Sequence, residues 1–194
     1  MLILILGVVI FSLAHSVPML PATRAGLVER LGLGPVKGLV SLGAAVGLAL
    51  MIWGYGAARF DGSPELWSPP TWTRHLAITL MWPAMVMLAA AYVPPGRIKW
   101  ALKHPMLNAV KFWCLAHLIA NGTVADVVLF GGLLAWASVD RWSLRLRDKA
   151  AGIARPAAGP LRNDLVAIAI GTVAWAVLLL WLHKPLIGVS PLGW

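Results

Sequence analysis

Five histidines and a single cysteine carry most of the chemistry this chain has to offer, and they lie in or beside long apolar runs. The two densest groupings read Phe11-Ser12-Leu13-Ala14-His15 and Trp113-Cys114-Leu115-Ala116-His117. An imidazole in hydrocarbon is expensive and usually marks function. The plain alternative is a neutral ring hydrogen-bonded to a neighbouring helix. The chemical alternative is ligation, because imidazoles projecting from facing helices are what bundles use to hold haem iron and other metals. Ser12, His15 and Ser16 fall at i, i+3 and i+4 and so share one helical face. A second region carries His104, Asn108 and Lys111, then Cys114, His117 and Asn121, again at spacings of three and four. At roughly 100° per residue these two clusters lie about a quarter turn apart. His75 stands beside Arg74, and His183 beside Lys184, where long polar side chains can snorkel. Only Asp126 and Asp140, near span ends, interrupt the apolar interiors, which leaves a di-iron carboxylate centre unsupported and suits imidazole ligation of haem better. One cysteine excludes an internal disulfide and any CxxC motif.

The elements that position these residues follow from composition. A chain of 194 residues that is 60% hydrophobic and 12% charged is no average soluble domain. Its mean hydropathy of +0.81 agrees. Six apolar segments, about residues 1–20, 36–57, 73–93, 105–121, 123–141 and 164–187, are each long enough to cross a bilayer as a helix. The expected fold is an all-α, polytopic membrane helix bundle of about six transmembrane helices, forming a single domain over residues 1–194. Asn121-Gly122-Thr123 alone separates the fourth and fifth segments, which predicts either a tight helical hairpin there or one merged or re-entrant segment.

The net charge of +9 is spread between spans and not gathered into one nucleic-acid-binding patch. Lys and Arg concentrate after the first, third and fifth segments, on one side of the membrane. Arg59 and Arg74, offset by Asp61 and Glu65, and then Lys184 occupy the other. The positive-inside rule therefore expects both termini outside the cytoplasm, with a basic cytoplasmic loop over 141–163 that touches anionic lipid. The first segment lacks a positive n-region and a small-x-small cleavage site before Arg24, so it reads as a span and not a secretory signal. Trp67, Trp72, Trp100, Trp142, Trp181 and Trp194 fall near span ends as an aromatic belt. Gly43 and Gly47 form a small-xxx-small packing pair, and Pro83 is expected to bend the third span.

The run from Lys103-His104-Pro105 through Lys111-Phe112-Trp113-Cys114-Leu115-Ala116-His117 to Asn121-Gly122, with Ala14-His15-Ser16, Trp53-Gly54-Tyr55 and Leu182-His183, resembles the NnrU family of bacterial membrane proteins over nearly the whole chain. That resemblance implies a bacterial inner-membrane location and an association with nitrite and nitric oxide reduction, with a respiratory or redox protein as partner. The family in turn looks similar to 15-cis-zeta-carotene isomerase, a membrane enzyme that uses haem b. Its ligand motifs match His15 and His117, and its alternative cysteine ligand matches Cys114. Where the isomerase carries an Ala-His-Arg motif, this chain reads Ala57-Ala58-Arg59-Phe60-Asp61, so haem b binding transfers more safely than isomerase activity.

Depth leaves the ligand pair open. At 1.5 Å per residue His15 lies about 21 Å from the outer face and His117 about 10 Å. His75 with His117 and His15 with His104 are rival pairs. Ser12, Ser16, Asn108 and Asn121 are candidates for supporting hydrogen bonds, and Arg24, Arg97 or Lys103 for haem propionates. Two other functions stand beside haem-linked redox chemistry: cis/trans isomerisation of a polyene, and passage of a small anion along His104, Asn108 and Lys111. Methyl transfer rests only on Lys103-His104-Pro105.

Overall fold

The computed structural model describes residues 1–155 and 157–193. Among them no strand forms, and one isolated bridge pairs Glu65 with Thr123. The helices are α1 (Leu2–Ser16), extended by a short 3₁₀ turn, α2 (Pro21–Leu31), α3 (Leu33–Phe60), α4 (Trp72–Tyr92), α5 (Arg97–Leu102) and α6 (Pro105–Ala120). Then follow α7 (Val124–Asp126), a π-helical turn over Val127–Gly131, α8 (Gly132–Ala150), α9 (Leu161–Val177), a second π turn over Leu178–Leu182, and α10 (His183–Ile187).

Four helical stretches are long and apolar enough to cross a membrane: Leu2–Met19, Leu33–Phe60, Trp72–Tyr92 and Leu161–Ile187. They match the first, second, third and sixth expected spans. The fourth, α6, has 16 residues. At 1.5 Å per residue that is about 24 Å, short of a roughly 30 Å hydrocarbon core. The fifth differs more. Helix does not stop near residue 141 but continues to Ala150, so the first part of the basic 141–163 segment is helical and not loop. Good helix formers in Arg145-Leu146-Arg147-Asp148-Lys149-Ala150, with no Gly or Pro before Gly152, carry it on. Pro156 and Trp194 lie outside the described residues.

The chain resolves into two compact units. The first combines residues 1–67 with 122–144, the second residues 68–121 with 145–194. Asn121-Gly122-Thr123, expected as a hairpin turn or as part of one merged or re-entrant segment, is where the chain leaves the second unit for the first.

In the first unit α1 and α3 run antiparallel at backbone contact. A Cβ added at Gly47 would sit 2.5 Å from the Phe11 nitrogen, and one at Gly7 2.5 Å from that of Met51. At Gly54 it would collide with the backbone of Leu4, while Gly43 meets the Ala14 methyl at 3.3 Å. The expected Gly43/Gly47 pair is thus part of a longer small-residue seam, the device by which membrane helices approach closely without a hydrophobic driving force. Loop 61–67 closes the start of α7: the Gly122 carbonyl accepts from the Leu66 and Trp67 N–H groups, and Val124 N–H donates to the Pro64 carbonyl.

In the second unit α4 packs against both α6 and α9. Gly171 lies against the Val86 backbone, and two indoles tie the pair, Trp82 donating to the Thr172 hydroxyl at 2.9 Å and Trp175 to the Ile78 carbonyl at 3.1 Å. Pro83 sits inside α4 as expected. The belt residues Trp67, Trp72, Trp100, Trp142 and Trp181 are all exposed.

Candidate functional site

His15 ends α1. Its Nδ1 lies 3.0 Å from the Phe11 carbonyl oxygen one helical turn earlier. A carbonyl only accepts, so Nδ1 carries the proton, and in the neutral ring the lone pair sits on Nε2. The ring also lies on the Phe11 ring, centroids 4.1 Å apart, and meets the Trp136 indole edge-on at 5.6 Å. Trp136 in turn donates to the Ser16 hydroxyl, which donates to the Ser12 carbonyl at 2.7 Å. Two aromatic rings, Phe11 on α1 and Trp136 on α8, thereby flank the His15 imidazole, and the Ser16 hydroxyl ties Trp136 to α1.

His117 repeats this arrangement on α6. Its Nδ1 lies 2.8 Å from the Trp113 carbonyl oxygen, again four residues back, and its ring packs on Trp113 at 5.3 Å. The same tautomer follows. The two segments share the pattern aromatic-x-Leu-Ala-His, and in both the residue four back supplies an aromatic face and a carbonyl acceptor. Asn121 donates through its backbone N–H and its side-chain amide to the His117 carbonyl, at 2.9 and 2.8 Å, closing the end of α6.

The other candidates fall elsewhere. His104 stands at the start of α6, with Nε2 2.9 Å from Asp148 Oδ2. Lys103 places its ammonium 2.8 Å from the same oxygen and 2.8 Å from the Ile153 carbonyl. Those bonds hold the Asp148 carboxyl below the usual carboxylate range, the Lys103 hydrogen bond first and the His104 one second. They also commit Lys103, expected near a propionate, to an acid of its own chain. Lys103 has φ +60° and ψ −46°, and the His104 N–H donates back to the Leu102 carbonyl at 2.7 Å. This is a γ-turn in the left-handed region, a costly conformation for a non-glycine residue. His75 is exposed on α4. His183 binds the Val189 carbonyl at 2.7 Å in the final turn. Cys114 is fully buried on α6. Asn108 and Lys111 are half-buried on the same helix. Among the described residues no group of three or more His, Cys, Asp or Glu side chains converges as a metal site.

Two functional-looking residues, Trp136 and Asp148, escaped the sequence reading, and a third, Asp126, was read only as an acid near a span end. Trp136 sits mid-span and not at a span end, which was its only signal. Asp148 is the sole acid in a run of Arg and Lys. Asp126, 3% exposed, accepts from the Tyr55 hydroxyl at 2.6 Å and from the Thr123 hydroxyl and N–H at 2.7 and 2.9 Å. Thr123 and Asp126 together form a capping box, visible as T-x-x-D.

The sequence model of the NnrU protein family matches residues 3–191. The chain belongs to the NnrU family. No match was found among curated proteins or among solved structures. The NnrU match spans both histidine motifs and all four long apolar helices, so the membership applies to both units.

Proposed function

We propose that this NnrU protein holds a b-type haem in the bacterial inner membrane, with His15 and His117 as its candidate ligands and its cation-rich loops cytoplasmic. The role that fits is a redox or accessory one in nitrite and nitric oxide respiration, in line with the family resemblance. What carries the reading is that both imidazoles are oriented in the same way: the carbonyl one helical turn back accepts from Nδ1, and the aromatic ring of that same residue packs on the imidazole. This is how metal-ligating histidines are oriented by the groups behind them. The donor type suits the group, since imidazole nitrogens are haem-iron ligands.

His15 and His117 would hold the haem iron, which would supply one-electron redox chemistry there. In this reading the Phe11 and Trp113 carbonyls keep each ring in its donor tautomer. Trp136 and Phe11 exclude water around His15, and Asn121 holds the end of the helix that presents His117. The rival pairs are less well supported, because His104 is engaged with Asp148 and His75 is exposed.

Protein expressed with ample haem and purified in detergent is expected to show a Soret band and a b-type pyridine haemochrome. His15→Ala and His117→Ala should each reduce haem content to less than about a tenth, as loss of an axial ligand does. His75→Ala and His104→Ala should retain it. Colourless native protein, or full haem content in both ligand variants, overturns the proposal.

A further inference from the structure

The second unit gathers three chain segments distant in sequence into one cationic surface. Asp164, on the first turn of α9, accepts from the Arg97 and Ile98 N–H groups, both at 2.9 Å, and so docks the start of α5. Asn163 donates to the Pro95 carbonyl at 2.9 Å. Glycines allow the approach: a Cβ on Gly96 would strike the Asp164 carboxylate, and one on Gly159 the Pro95 carbonyl. From the other direction, Lys103 and His104 hold Asp148, Lys103 holds the Ile153 carbonyl, and the Arg155 guanidinium lies 5.7 Å from the Trp100 ring centre.

The charge balance of this surface is one-sided. Its two carboxylates are spent internally, Asp148 on Lys103 and His104, and Asp164, 5% exposed, on backbone N–H groups. Arg97, Arg145, Lys149, Arg155 and Arg162 are exposed and meet no carboxylate among the described residues. Exposed Trp100 lies in the same surface, beside helices of membrane-crossing length. Indoles seat at the headgroup level, and cations there attract anionic lipid.

The geometry points to a binding surface for anionic phospholipid headgroups, built from α5, the 145–155 arm and the start of α9. The phosphate-bearing headgroup meets the exposed guanidinium and ammonium groups, and the acyl chains run along the apolar helices below. This inference stands independently of haem binding.

The test uses the full chain, purified in neutral detergent and offered equal amounts of phosphatidylglycerol and phosphatidylcholine, with bound lipid read by native mass spectrometry. Phosphatidylglycerol is expected to be retained preferentially. Arg97→Gln/Arg155→Gln should weaken its retention by on the order of twenty-fold, near five-fold per cation. Arg74→Gln, at the far end of α4, should leave the preference intact. Should the double variant not fold, salt provides a second readout: about 0.5 M NaCl should release phosphatidylglycerol from wild-type protein and spare phosphatidylcholine. Equal retention of the two lipids, unchanged preference in the double variant, or an equal loss in Arg74→Gln overturns the proposal. So does full displacement by millimolar inorganic phosphate, which would indicate a small-anion site instead of a lipid surface.

Discussion

The Asp126 carboxylate shows how a single buried acid is made tolerable in an apolar chain: every acceptor position that is used faces a donor from Tyr55 or Thr123. Removing one donor leaves the desolvation cost uncompensated, about 1–3 kcal/mol. Tyr55→Phe should therefore lower the thermal midpoint in detergent by several degrees. An unchanged midpoint would show that the hydroxyl contributes nothing. Asp148 behaves differently because it lies near the surface, where an ion pair is worth on the order of 0.5 kcal/mol. Its carboxyl is held below the ordinary range when folded, so the stabilisation is full above the unfolded value of about 3.9 and disappears as pH falls through the lower folded value. Amide exchange over 145–153, corrected for intrinsic rates, should be slow at neutral pH and accelerate only below about pH 4. In Asp148→Asn the neutral-pH protection should already be reduced and the acid step absent.

Helix α1 owes its placement to the glycine seam of α3, and with it the placement of His15. Gly47→Val forces a branched side chain into the Phe11 backbone, and overpacking of this kind costs about 1–3 kcal/mol or displaces the helix. The expected outcome is a lower thermal midpoint together with reduced haem content, whereas Gly56→Val, which meets open space, should change neither. Helix type and the four longest spans were legible in the sequence because hydropathy over some 20 residues is a strong, local signal. The shorter α6 and the continuation of α8 were not, since length limits depend on packing and a basic run can be helix or loop with equal ease. Gly43 and Gly47 announced the seam, yet its extension to Gly7 and Gly54 required knowing which helix lies opposite. Likewise the two aromatic-x-Leu-Ala-His segments were plain to read. Their shared tautomer was not, because it depends on where each ring nitrogen meets the turn behind it.

For the molecule as a whole, alternation of basic and neutral loops predicted where cations collect. It could not predict that the acids interspersed among them would be consumed by Lys103, His104 and the start of α5, since those pairings join residues about 45 to 67 positions apart. Motifs carried the family assignment, and the NnrU match over residues 3–191 agrees with it. The π turns over Val127–Gly131 and Leu178–Leu182 had no sequence signal, as both lie in uninterrupted apolar stretches. The internal use of Asp148 and Asp164 has one more consequence. An energised bacterial membrane is electrically negative on its inner side, and dragging one elementary charge against that voltage takes about 2.3 kcal/mol per 100 mV. In the proposed orientation, five cations without an acid partner among the described residues would lie on the inner side, and the resting voltage itself would act as a lock that keeps the inserted chain from turning over.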